Sequence, residues 1–170
     1  MGTTWTAPDG TQVTLRPIEL GDLALEQAFV TGLSAATGYK RLLSTRRPSH
    51  EEIKRFTDID PEREYAVIAT IIHNGAERQI GVARYVMLDR SDEAEFAIVL
   101  SDDWQGRGLG RALLSSLIAE AKRRGVLRLV GMTMSENDGM LALARRLGFS
   151  TTIGDVPSET NLALDLAVRD

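Results

Sequence analysis

The stretch from Ala94 to Leu114, AEFAIVLSDDWQGRGLGRALL, restricts the fold more than any other part of the chain. From Ala94 to Leu100 it is apolar except for Glu95, the pattern of a strand buried in a sheet. Glycines follow at alternate positions, 106, 108 and 110, and then Leu109, Leu113, Leu117 and Ala121, with Ala112 and Leu114 beside them, recur at helical spacing. The helix ends in KRRG, where Gly125 stops it. A buried strand that runs through a glycine turn into an amphipathic helix belongs to a layered structure, in which the helix packs back on the sheet.

The flanking sequence supplies the rest of such a sheet. Gln12 to Arg16 alternates polar and apolar residues as a first strand that Pro17 stops, and Asp22 is placed to cap a helix carrying Leu23, Leu25, Ala28 and Phe29. Glu64 to His73 and Gln79 to Leu88 are β-rich runs joined by NGAER, with Asn74 and Gly75 at a hairpin turn. Leu127 to Thr133 is a further strand, after which Asn137 or Asp138 caps a short helix that runs through Arg146 and closes at Gly148. Thr151 to Gly154 and Thr160 to Ala167 are the last strand candidates, on either side of Pro157. Between the first helix and the hairpin, GYKRLLSTRRPSHEEIKRF carries Lys40, Arg41, Arg46, Arg47, Lys54 and Arg55, a solvated face or a surface for an anionic ligand. Ser49 ahead of Glu51 and Glu52 predicts a helix start there. The order describes an α/β (α+β) domain built on one mixed sheet with helices on its faces.

At 170 residues the chain is long enough for one well-buried core, so residues 1–170 are expected to form a single domain. The net charge of −4 argues against a nucleic-acid partner and suits an amine substrate. No cysteine is present, which removes disulfides, thiolate metal sites and a cysteine nucleophile; group transfer must then use another nucleophile or pass directly from donor to acceptor. His50 and His73 lie in different segments without metal-ligand spacing, so neither a metal site nor a Ser-His-Asp triad is expected, and both read as surface residues. MGTTWTAPDGTQ lacks the features of a signal peptide, and no apolar run is long enough to span a membrane, so a cytoplasmic protein is expected. Gly2 and Thr6 match the short myristoylation pattern only as chance allows.

Glycines at a helix start let the backbone approach a ligand, while the amides of the first turn and the helix dipole favour an anion such as a diphosphate. Neither the P-loop pattern, which needs Gly-Lys-Ser/Thr, nor G-x-G-x-x-G fits these residues. The residues alone leave plain turn chemistry and diphosphate binding open. Gln105-Gly106-Arg107-Gly108-Leu109-Gly110, however, resembles the [RQ]-x-x-G-x-[GA] signature of the GNAT family of N-acetyltransferases. Arg16-Pro17 resembles the start of that family, and NDGMLALARRLGF resembles its N-x-x-A-x-x-L-Y-x-x-x-G-F helix and following strand. The likeness covers about residues 12–167, and RLLSTRRPSHEEIKRFTDIDPEREYAVIA with the segments above is similar to the acetyltransferase domain of bacterial Pat-type protein lysine acetyltransferases. The resemblance implies the GNAT fold, a mostly antiparallel sheet of six to seven strands with helices on both faces.

It also implies acetyl-CoA as cofactor, its diphosphate held by the turn of Gln105, Gly106, Arg107, Gly108, Leu109 and Gly110, and no metal. Arg107 and Arg111 flank that turn as phosphate partners or as a solvated helix start, and Trp104 packs on the domain or covers the adenine side. Amide formation from a thioester needs a deprotonated amine, a polarised carbonyl and a departing thiolate. Glu95 shares a strand face with Ala97 and Val99, where a carboxylate reaches solvent or serves a ligand, and the resemblance makes it the general base; Glu93 is the neighbouring alternative. The family implies a carbonyl donor among the backbone amides at Val99 or Leu100, and a hydrogen bond from Asn137 to the cofactor arm in addition to its capping role. The family's frequent tyrosine acid falls on Ala144, an absence that Pat-like sequences share; Tyr39, Tyr65 and Tyr85 are remote candidates for that acid and read first as packing residues. The acceptor that follows is a protein lysine, for which an acyl-CoA synthetase-like protein is the model target. A small-molecule amine is the alternative, and a non-catalytic acyl-CoA sensor is the reading from another class. A homodimer is compatible with each.

Overall fold

β-Rich runs that alternate with amphipathic helices assemble into one sheet of eight strands, in the order β1-β2-β3-β4-β5-β6-β8-β7. The computed structural model describes residues 2–34, 49–89 and 91–167. Tyr39, Lys40, Arg41, Arg46 and Arg47 lie outside them. The strands are β1 (Thr3–Thr6), β2 (Gln12–Pro17), β3 (Glu64–His73), β4 (Ala76–Met87), β5 (Glu93–Leu100), β6 (Arg128–Met134), β7 (Ser150–Ile153) and β8 (Glu159–Asp165). The described helices are α1 (Leu23–Thr31), α2 (His50–Thr57), α3 (Leu109–Arg123) and α4 (Asp138–Arg146). Neighbouring strands are antiparallel except β5 and β6, which the α3 crossover brings in parallel.

The eighth strand exceeds the six to seven expected. Thr3–Thr6 is short, yet Ala7-Pro8-Asp9-Gly10 turns it back on β2: Gly10 N–H donates to Ala7 O at 2.9 Å, and Thr11 N–H donates to the Asp9 carboxylate at 2.9 Å. The β3–β4 hairpin is tighter than NGAER suggests. Asn74 (φ 53°) and Gly75 (φ 78°) alone make the turn, so His73 pairs with Ala76 and β4 begins there.

Both faces of the sheet are covered. Leu109, Leu113, Leu114 and Leu117 of α3 are fully buried on one face with Ile80 and Leu129, as their four-residue spacing predicts. On the other face Phe29 and Val30 of α1 and Ile53 of α2 pack on Ala66, Ile68, Val82 and Val99. Ser49 Oγ caps α2 by accepting the Glu52 N–H at 3.2 Å. Asp22 precedes α1 as expected but makes no side-chain cap: its carboxylate accepts from both Arg16 Nη atoms, at 2.7 and 2.8 Å, which ties β2 to the start of the helix. Among the described residues no helix is long and apolar enough to cross a membrane.

The end of α3 is fastened by charge. Hydrogen bonds from Arg123, then Arg124, hold the Glu120 carboxyl down at about 2, and Arg124 also stacks on the Tyr65 ring at 4.7 Å. A carboxyl lower in the folded state than its ordinary 4.5 contributes stability that is complete above about pH 4.5 and lost as the pH falls through about 2. The three side chains are 20–69% exposed, so the contribution is modest. Glu120→Gln is expected to flatten the acid limb of a circular-dichroism stability titration in that window.

Candidate active site

β5 and β6 pair at only three positions, Glu93 with Arg128, Ala94 with Leu129 and Glu95 with Val130, and then part. A cleft of about 430 Å³ opens between them, lined on the β5 side by Phe96 to Leu100 and on the other by Met132, Thr133 and the α4 residues Met140 and Leu143. Phe96 packs into the inner end, its ring on Gly131 and 5.1 Å from that of Phe149; a Cβ on Gly131 would come within 2.6 Å of the Phe96 ring. Strand β6 therefore needs glycine at this point.

Parting leaves backbone groups of β5 without a ladder on that side. Ser101 N–H donates to Ile80 O at 2.9 Å and Leu88 N–H donates to Glu93 O at 2.9 Å, so odd-numbered residues of β5 bond to β4. The alternation turns the amides of Phe96, Ile98 and Leu100 towards the cleft. Of the two carbonyl donors named from the family, Leu100 presents its N–H there, whereas that of Val99 faces β4. Both residues line the cleft.

At the cleft mouth the glycine turn meets the start of α3. Gly106 (φ 74°) and Gly108 (φ 93°) hold left-handed conformations, and Gly108 is the N-cap residue. The amides of Leu109, Gly110 and Arg111 belong to the first helical turn and have no acceptor within the helix. Gln105, Gly106, Gly108, Gly110 and Arg111 line this end, and Gln105 Nε2 donates to Leu100 O at 3.3 Å. Leu109 is buried in the core and does not line the cleft. Arg107 does not line the cleft: its guanidinium bonds Asp9 at 2.5 Å and lies 3.8 Å from the centre of the Trp104 ring. Trp104 is buried.

Across the cleft, Asn137 Oδ1 accepts the Met140 N–H at 3.3 Å and its Nδ2 donates to Thr133 Oγ1 at 3.3 Å, so one side chain caps α4 and faces the cleft. Asn137→Ala is expected to cost about 1 kcal/mol of stability, measured by urea unfolding.

Glu95 is the last β5 residue paired to β6, and its exposed side chain is on the face opposite Ala94 and Phe96. It stands beside Ala97 and, across the β4 ladder, Val86, on the face that carries α1 and α2. Glu93 shares that face, but its carboxylate is bound to Arg128 at 3.1 Å. Glu95 makes no ion pair among the described residues. Glu95 does not itself line the cleft: the lining begins at the next residue, Phe96, whose side chain is on the other face of the sheet.

A model of the acetyltransferase (GNAT) domain matches residues 12–150. The chain belongs to the GNAT acetyltransferase family. It is 32% identical over 142 residues to an acetyltransferase of Pseudomonas aeruginosa, covering 83% of this chain and 76% of that one. It is 30% identical over 135 residues to the acetyltransferase Pat of Mycolicibacterium smegmatis, covering 79% of this chain and 40% of Pat. The GNAT domain of S. lividans PAT superposes with a TM-score of 0.86 at 26% identity, over 96% of each chain.

Within this GNAT domain, the position of the family's frequent tyrosine is the buried Ala144. Tyr65 and Tyr85 pack with ring centroids 6.1 Å apart, outside the cleft lining, and burial raises both hydroxyls. His50 and His73 are exposed, and no group of three or more metal-ligating side chains occurs among the described residues. Sequence reasoning missed Arg146, which lines the cleft as Arg111 does; neither guanidinium forms an ion pair among the described residues. Its signal was the basic last turn of α4, where it served only to mark the helix end.

Proposed function

We propose that this chain acetylates the side-chain amine of a protein lysine, with acetyl-CoA as donor and Glu95 as general base. The observation that carries this is the end of the β5–β6 ladder at Glu95: the cleft lining begins at the next residue, Phe96, and the Glu95 carboxylate makes no ion pair among the described residues. The likeness to the GNAT domain of S. lividans PAT, over 96% of each chain, agrees with the sequence resemblance to Pat-type protein lysine acetyltransferases, and it is that resemblance which implies a lysine acceptor and an acyl-CoA synthetase-like target.

The residues fit acetyl-CoA. Cleft-facing amides of Phe96, Ile98 and Leu100 suit an extended polar arm, and the glycine turn with the first turn of α3 suits a diphosphate. Arg111 and Arg146 add positive charge at the mouth, and Asn137 holds the arm. Bound there, acetyl-CoA supplies an acetyl thioester with a good leaving group. Glu95 takes the proton from the acceptor ammonium, whose ordinary pKa is about 10.4, so that its nitrogen lone pair can form the new C–N bond. The Leu100 N–H, in the strand segment shared with Val99, donates to the carbonyl oxygen as negative charge gathers on it. With alanine at 144, the thiolate takes its proton from water or another group, or departs as the anion.

Mass spectrometry of a bacterial lysate incubated with the protein and acetyl-CoA tests the acceptor. Nε-Acetyl-lysine on an acyl-CoA synthetase-like protein is expected. Acetylation of polyamines or free amino acids, with every protein lysine unmodified, makes the enzyme a small-molecule acetyltransferase instead. Acetyl-CoA binding without transfer to any amine makes it a sensor.

A further inference from the structure

The N-terminal hairpin lies outside the transfer chemistry, yet its tip reaches the glycine turn. Asp9, between β1 and β2, accepts from Arg107 Nη2 at 2.5 Å. Arg107 is the residue between the left-handed Gly106 and Gly108. Its guanidinium is also stacked 3.8 Å over the buried Trp104, and its Nη1 donates to Asp103 O at 3.4 Å. The ring of Trp5 on β1 covers Gly108, 3.4 Å from where a Cβ would stand. Three side chains thus fix a segment whose glycines otherwise give it the widest choice of backbone conformations.

We propose that Asp9, Trp5 and Arg107 are positioning residues that clamp the glycine turn in the conformation presenting its amides, and so set the affinity for the diphosphate of CoA. The inference rests on the reading that this turn holds the diphosphate. A turn already held in its binding form loses less freedom when the anion arrives. The sign of the effect separates a clamp from simple charge. Asp9 is an anion near an anion site, so as a mere charge its removal strengthens CoA binding and releases Arg107 to help. As a clamp, its removal weakens binding.

Titration calorimetry on the whole chain, with CoA, dephospho-CoA and pantetheine as probes, decides between them. In Asp9→Asn, whose amide oxygen can still accept the Thr11 N–H, and in Asp9→Lys, CoA and dephospho-CoA are expected to bind about three- to tenfold more weakly, while pantetheine binding stays as in the wild type. Trp5→Leu, which changes no charge, is expected to shift the two nucleotides in the same direction. Unchanged or tighter CoA binding in both Asp9 variants overturns the clamp even when the wild type prefers CoA to pantetheine. Equal wild-type affinity for CoA and pantetheine overturns the diphosphate reading itself, and the clamp with it.

Discussion

Glu95→Gln is expected to lower acetyl transfer by about 10²-fold or more at neutral pH while acetyl-CoA binding stays unchanged. At pH 7 only about one lysine amine in 2,500 is neutral, so a transfer that waits for spontaneous deprotonation is slow. The amide of glutamine keeps the shape of the side chain and cannot take the proton. As the pH rises towards the pKa of the amine, the gap between variant and wild type is expected to narrow, because the acceptor deprotonates unaided. Since Glu95 is exposed and forms no ion pair among the described residues, its melting temperature serves as a control and should not move. Glu93→Gln, which loses the bond to Arg128, is expected to leave turnover within a few-fold of wild type. If Glu93→Gln is crippled and Glu95→Gln is not, the base is Glu93.

Arg84→Met is expected to destabilise the fold by about 3 kcal/mol, or roughly 6–12 °C in melting temperature. Glu26 of α1 is fully buried, and its carboxylate accepts from Gln79 Nε2 at 2.6 Å and faces Arg84 Nη2 at 3.6 Å. Removing the guanidinium takes a counter-charge from that buried carboxylate, whereas the double variant removes both charges from the core. Glu26→Met with Arg84→Met should therefore recover most of the loss, a coupling that thermal unfolding of the two singles and the double measures. Arg84 also donates to Phe56 O at 3.1 Å, which ties α2 to β4 on the face that carries Glu95. The single variant is thus expected to weaken acceptor use as well. An Arg84→Met protein as stable as the wild type refutes the charge-pair account.

What the sequence disclosed follows the range of the interactions involved. The buried stripe of α3, the Ser49 and Asn137 caps and the Asn74-Gly75 turn depend on residues a few positions apart, and each was legible. Strand β1 was not, because a strand of four residues carries too little periodicity and only its turn, Pro8-Asp9-Gly10, gives it away. Asp22 looked like a cap by position, and a partner six residues back, Arg16, claims its carboxylate instead. The cluster of Glu26, Gln79 and Arg84 and the bond from Arg107 to Asp9 join residues about 50 to 100 positions apart, which no local pattern records. The cleft was available only through the family resemblance. Nothing in the residue types of β5 and β6 says that their pairing ends at Glu95 and Val130.

The measurement that bears most directly on the central claim is CoA thiol release, followed with a thiol reagent, from acetyl-CoA offered together with a bacterial acyl-CoA synthetase. The same protein with its lysines blocked and a panel of small amines serve as parallel acceptors. Lysine acetylation requires release that depends on the unblocked acceptor protein and matches the Nε-acetyl-lysine formed. Release with small amines alone, and none with the protein, contradicts it.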